Sequence, residues 1–402
     1  MTMGRALAGL AIFLTMVPVP LLVPGLHELV VGAHGGTLSD AHSFMTVNMV
    51  AGMLTVPAAM RILSARGGNV RQWAQVALLI DAVAFAGMAY ASSLTGLFAF
   101  RILDGAVHLP AITFLMVIGN RLAGSERRGA TLGLLATAIM AGVAVGSPLG
   151  GNLVSRGPAV LYLTGAVLLV LAAIVVGFLP AIDGVSRRTA SRYEWQGSRL
   201  VTWIPLAYAF LDRFSVGIFV STFTLYLTNV VGLSPSRRGA LIALFMVPFA
   251  LLCYPAGRLA GRAGWLRPML VGNICYGLTF ASYGLVPSSW LPAAMLASGV
   301  FSALMFAPNL VMISDLARHG AGEGLFGAFQ VAGSLGFLFG PVVGGLLVST
   351  TRGADGVPAY AAIFAGVGVF AVLLAVVTWV TCRQYAHGVA PAMPKVSPAL
   401  VR

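Results

Sequence analysis

The sequence predicts an all-α integral membrane protein of twelve spanning helices, arranged as two six-helix halves that repeat one another. Three observations carry this. Of 402 residues, 58% are hydrophobic and 9% charged, against about 25% charged in a soluble domain, so the chain has too little polar surface to stay in water. Twelve stretches approach the roughly 20 apolar residues that cross a bilayer. Glycine–proline and arginine–glycine patterns recur along the chain at nearly one offset, which indicates a duplication.

Taken in order, the spans are expected at about 6–26, 41–62, 72–92, 95–121, 130–154, 159–181, 203–231, 239–258, 267–286, 290–313, 324–349 and 358–381. The first is too long for a cleaved leader, lacks a small-residue cleavage site and holds Pro18, Pro20 and Pro24, which bend it. The longest polar linker, Asp183 to Arg199, separates two sets of six. The expected divisions are an N-terminal half over 1–182, a cytoplasmic linker over 183–202, a C-terminal half over 203–382 and a proline-containing, disordered tail over 383–402.

Arginine in the loops sets the orientation. With the N-terminus inside, 18 basic residues fall on the cytoplasmic side and 4 (Arg156, Arg237, Arg238 and Arg352) on the other, while Arg101 and Arg213 lie within spans. Both termini are therefore expected in the cytoplasm and the chain in a cytoplasmic (inner) membrane. The net charge of +13 contains one lysine, Lys395. It reads as topology and not as a nucleic-acid surface. Cys253, Cys275 and Cys382 are scattered without metal spacing.

The repeat is clearest in span 5, Gly146-Ser147-Pro148-Leu149-Gly150-Gly151, and in span 11, Gly340-Pro341-Val342-Val343-Gly344-Gly345, 194 residues later. Gly142 and Gly336 precede the two copies. Arg66, Gly68 and Arg71 match Arg262, Gly264 and Arg267 at an offset of 196, and Pro110 matches Pro308 at 198. Small residues four apart form a stripe that another helix can approach closely, and proline bends the axis. The twin stripes are expected where the two halves close on one another.

Twelve spans, a six-plus-six duplication and a long central loop resemble the major facilitator superfamily over roughly 5 to 381. The loop Arg66-Gly67-Gly68-Asn69-Val70-Arg71 is similar to the family's signature loop, and its twin runs from Gly257 to Arg267. Where the family has an aspartate that helps lock the cytoplasmic gate, this chain has Ala65 and Gly261. Arg101 and Gly105 look like a second family motif in span 4. The span 5 stretch is similar to the antiporter and exporter motif, with its proline displaced by one. The resemblance implies secondary transport by alternating access, with spans 1, 4, 7 and 10 lining a central cavity.

Charged groups inside spans cost about 2.5–3.5 kcal/mol each on insertion scales, so each calls for a reason. In span 4, Arg101 and His108 lie within about 20° of each other on a helix and Asp104 about 60° away, one shared face. Asp104 is the candidate titrating acid, Arg101 its control and His108 a relay; the alternative is a self-neutralised structural pair, with His108 satisfied by another helix. Asp212 and Arg213 in span 7 point about 100° apart, so one is expected to reach span 4 or span 1; the alternative is a local pair. Asp81 in span 3 reads as a neutral acid bonded to a neighbouring helix. Asp315, Arg318 and His319 read as a solvated helix end rather than a gate. The loop Glu126-Arg127-Arg128 reads as a structural or latch element. Asn48, Asn309 and Gln330 are further polar candidates, and Phe219, Phe223 and Tyr226 a packing stripe.

No phosphate-cradling loop and no nucleophile–base constellation is visible, so neither nucleotide nor enzymatic chemistry is expected, and no cofactor or metal. The expected partners are a small-molecule substrate, a proton or other coupling ion, and the bilayer. The leading expectation is a proton-coupled secondary transporter leaning to efflux by antiport. The rivals are a non-transporting receptor, scaffold or assembly factor with the same fold, and a passive uniporter. A scaffold has little reason to keep Arg101, Asp104, Asp212 and Arg213 within apolar helices.

Overall fold

The computed structural model describes residues 3–26, 28–66, 68–123, 128–182, 199–223, 226–227, 230–233, 235–350 and 357–386. Glu126, Arg127, most of the linker and the tail beyond 386 lie outside the described residues, as do the side chains of Arg66 and His319 and the surroundings of Gly345.

Among the described residues, twelve long helices follow one another. They are α1 (Met3–Leu21, interrupted at Val17), α2 (Leu38–Arg66), α3 (Val70–Ala89), α4 (Leu94–Leu122), α5 (Arg128–Val154) and α6 (Pro158–Gly177). The second set is α7 (Arg199–Ile218), α8 (Pro235–Ala263), α9 (Leu266–Ser282), α10 (Leu291–Leu316), α11 (Gly324–Thr350) and α12 (Val357–Ala386). Eleven are long and apolar enough to cross a membrane, and the remaining one, α9, has 17 residues. Helices dominate because hydrocarbon offers backbone groups no partner but their own chain. Large apolar side chains such as Leu54, Val83, Leu251, Leu278 and Val377 stand exposed, as a lipid-facing surface requires.

Helix ends are closed by identifiable groups. Ser93 caps α4 by accepting from the Gly96 amide at 3.1 Å. Asn69 caps α3 by accepting from the Arg71 amide at 3.0 Å, and also takes the Ile182 amide at 3.2 Å. Arg71 donates to the carbonyls of Gly177 and Leu179 at the end of α6, and Arg5 Nε donates to Leu122 O at the end of α4. Just past α2 and α8, the twin glycines Gly68 (φ 97°) and Gly264 (φ 87°) take the left-handed backbone that stops a helix. The signature loop is thus built largely as a set of helix stops.

The chain forms two compact units. One holds 1–125, 138–193 and 322–331, and the other 126–137, 194–321 and 332–402. In the first, α4 packs on α2 and α3, and α3 on α6. In the second, α10 packs on α8 and α9, and α9 on α12. These are the same pairs shifted by six helices, so the duplication read from motif spacing is also a duplication of packing. Span 7 continues beyond Ile218 as a widened turn over Phe219–Phe223, and a similar turn over Glu28–Gly32 follows α1.

The twin glycine stripes do not close one half on the other. Each packs inside its own half. Gly142, Gly146 and Gly150 of α5 lie against Phe13, Val17 and Leu21 of α1, and Gly336, Gly340 and Gly344 of α11 against Phe210 and Phe214 of α7 and Thr222 of the turn that continues it. Helical spacing identified the stripes but not the partner, since any helix can use a smooth face. Gly151 is exposed, off the stripe, and so is Pro148. A second glycine contact, inside the second unit, sets Gly129 and Gly133 of α5 against Gly257 and Gly261 of α8. A Cβ on Gly261 would lie 2.8 Å from Gly129 Cα. The position where the family carries its gate aspartate therefore has no room for a side chain here.

A buried charge cluster as candidate functional site

Gly105 places the site. A Cβ there would stand 2.7 Å from Asn48 Cα, so only glycine lets α2 and α4 approach so closely. The approach brings Asn48 within reach of the residue before Gly105: Asn48 Nδ2 donates to Asp104 Oδ2 at 2.7 Å. Arg101, one turn earlier on α4, donates through Nη1 to the same oxygen. Its Nε donates to Phe44 O at 3.2 Å, and its guanidinium stacks 5.0 Å from the Phe44 ring centroid. From α3, Asp81 Oδ2 lies 2.6 Å from His108 Nδ1.

Five polar residues from three helices thus form one buried group, with side chains of Arg101, Asp104, Asp81, His108 and Asn48 all 3% exposed or less. The shared face expected on α4 is present. Asp81 is bonded to a neighbouring helix as expected, but its partner is His108, which joins it to the charged group. Sequence reading gave Asp81 no functional place because its partner is 27 positions away and no periodicity links the two. One ligand atom from each of Asp81, Asp104 and His108 falls within 4.8 Å of the others. A divalent ion there would stand beside Arg101, which is already bound to Asp104, and would leave a net positive charge buried.

Asp212 and Arg213 on α7 behave otherwise than expected. Arg213 Nε lies 3.5 Å from Asp212 Oδ2, so the adjacent side chains bend toward one another instead of one reaching span 4 or span 1. A long, flexible arginine overrides the 100° separation of its attachment point.

Asp315 is not a solvated helix end: Arg128, in the first turn of α5, donates to it within the second unit. Arg318 lies beside this pair, and burial first and the Arg128 charge second hold it below its ordinary pKa. In the first unit, Arg121 at the end of α4 forms two bonds to Glu323, at 2.5 and 2.7 Å. The repeat contains a signal for these pairs. Arg121 and Asp315 occupy matching positions, as do Arg128 and Glu323, and each match joins opposite charges.

Comparison with known proteins agrees with this architecture. Residues 205–400 match the family model of the Major Facilitator Superfamily. A multi-drug resistance efflux pump PmrA homolog of Lactococcus lactis is 23% identical over 95% of this chain and 94% of its own. The uncharacterized MFS-type transporter YqjV of Bacillus subtilis is 24% identical over 38% of this chain, and the magnetosome protein MamH of Paramagnetospirillum magneticum 29% over 34%. The chain spans 37% and 33% of the length of those two curated relatives. Among solved structures, the human organic anion transporter MFSD10 superposes with a TM-score of 0.75 at 16% identity, over 93% of this chain and 98% of its own. The proton:xylose symporter XylE superposes with a TM-score of 0.76 at 12% identity, over 93% and 94%. The second half of this chain thus matches the family model of the Major Facilitator Superfamily, and the whole chain carries the fold of solved transporters of that superfamily.

Proposed function

We propose that the chain is a proton-coupled secondary transporter that exports a small molecule by alternating access, seated in a cytoplasmic membrane with both termini inside. The observation that carries the reading is the buried cluster of Asn48, Asp81, Arg101, Asp104 and His108. Fully buried ionisable groups in a membrane helix are expensive to keep, and a purely structural core gains more from apolar packing than from a buried ion pair. Export is favoured by the span 5 motif and by the full-length likeness to a protein named as a multi-drug efflux pump. An amphiphilic organic compound is the corresponding substrate class.

The test is reconstitution of the purified chain in liposomes with an imposed pH gradient. A panel of amphiphilic dyes, ethidium among them, is assayed for uphill movement that a protonophore abolishes. Movement that ignores the protonophore would point to the passive-uniporter alternative. No gradient-dependent movement across the panel counts against the reading and favours the scaffold alternative.

A further inference from the structure

We propose that the exchangeable proton of this transporter binds at the Asp81–His108 pair, with Asp104 serving as its fixed counter-anion. The inference rests on the proton-coupled reading above and assigns the proton to particular atoms.

The two buried carboxyls have different surroundings. Asp104 Oδ2 takes two donors, Arg101 Nη1 and Asn48 Nδ2. Neither donor can accept a proton in return, because a guanidinium has no acceptor and Asn48 presents its amide nitrogen. Two donors, one of them a fixed cation, favour the carboxylate form of Asp104, and Arg101 balances it. Asp81 meets His108 across 2.6 Å and lies within hydrogen-bonding reach of Asp104. An imidazole nitrogen can either donate or accept, so this bond survives with the proton on either partner. Of the two acids, Asp81 is the one bonded to a group that can hand it a proton and take it back.

The charge count agrees. With both carboxylates ionised and His108 neutral, Arg101 leaves the cluster one negative charge in excess. One proton makes it neutral. Three cluster atoms, His108 Nε2, Asp81 Oδ1 and Asp104 Oδ1, are buried and accept from nothing among the described residues, and Nε2 is the one that leads through the ring to Asp81. A proton arriving at Nε2 makes an imidazolium beside the Asp81 carboxylate. Transfer of the Nδ1 proton to Asp81 Oδ2 then yields a neutral acid and a neutral ring. The proton crosses the ring, no bond other than N–H and O–H changes, and release reverses the steps. Other described charged groups of the helices around the cluster, Arg5, Asp40, Arg61, Arg71 and Arg121, lie toward helix ends. Tyr162 of α6 is the phenol near enough to feel Arg101.

Infrared difference spectra of the full chain in liposomes, recorded across a pH step, read carboxyl protonation directly and need no substrate. The parent should gain a protonated-carboxyl band on acidification. Asp81→Asn should lose that band. Asp104→Asn combined with Arg101→Gln should keep it, because the pair on α3 and α4 remains. Asp81→Glu preserves the acid and should restore the band at a changed midpoint, which covers the case in which Asp81→Asn does not fold. A band that survives Asp81→Asn, or that disappears with Asp104 instead, overturns the assignment. Ethidium flux separates this from the reading beneath it. If Asp81→Asn alone pumps uphill like the parent while removal of both acids stops pumping, only the assignment fails. If removal of both acids leaves uphill pumping intact, the coupling reading fails as well.

Discussion

Gly150→Ala is the substitution whose effect can be worked most directly from the structure. A Cβ at 150 would lie 2.8 Å from Leu21 Cα, where carbon atoms normally stand about 3.5–4.0 Å apart. Helices α1 and α5 would have to part by about 1 Å, and the obstacle is backbone, which cannot swing aside. Overpacking of this kind typically costs about 1–3 kcal/mol. Helix propensity opposes it by roughly 0.5–1 kcal/mol, because alanine is the better helix former. The net expectation is a loss of about 0.5–2 kcal/mol. Gly151→Ala is the matched control: its Cβ would meet Pro24 Cβ at 3.7 Å, an ordinary contact, so propensity should leave it neutral or slightly stabilised. Thermal unfolding of the detergent-solubilised variants, followed by loss of the monodisperse species, ranks them. Equal melting temperatures for the two variants would refute the close-approach argument.

The glycine at the gate position gives a parallel prediction. Gly261→Asp restores the residue the family carries there, yet should destabilise by about 1–3 kcal/mol, seen as a lowered melting temperature; a gain would mean α5 does not approach as described. Reversing Arg128 to Asp should cost about 1–3 kcal/mol, between exposed and buried ion pairs, since both partners are about one-fifth exposed. Adding Asp315→Arg should recover most of that, and a double variant no better than the single would dismiss the pair. Cysteine introduced into the linker between 183 and 199 should react with impermeant maleimide only in inverted vesicles; labelling of right-side-out vesicles would reverse the proposed orientation.

Much of the fold was legible because a membrane writes itself into composition. Runs of about 20 apolar residues, a polar break after span 6 and motifs repeating near an offset of 195 are one-dimensional signals, and the helices and their duplicated packing follow from them. The helical face joining Arg101, Asp104 and His108 was legible for the same reason: 3.6-residue geometry is local. What was not legible is contact between helices distant in sequence. Asp81 meets His108, Asn48 meets Asp104 at the Gly105 crossing, and Asp315 meets Arg128 because of how helices far apart in sequence pack, and packing partners leave no periodic trace. The Asp212–Arg213 pair was the alternative and not the leading expectation, for a different reason. Backbone direction was used where the flexible arginine side chain decides.

The measurement that bears most directly on the whole account is proton-driven ethidium transport by a charge-balanced variant, Asp81→Asn with Asp104→Asn and Arg101→Gln. The three changes remove both buried acids together with their counter-charge, so no unpaired charge is left inside the bilayer. The account predicts that the variant inserts, exchanges ethidium down its gradient like the parent, and fails to move it uphill when a pH gradient is imposed. Uphill transport at the parental rate would contradict it, because coupling would then reside outside the cluster.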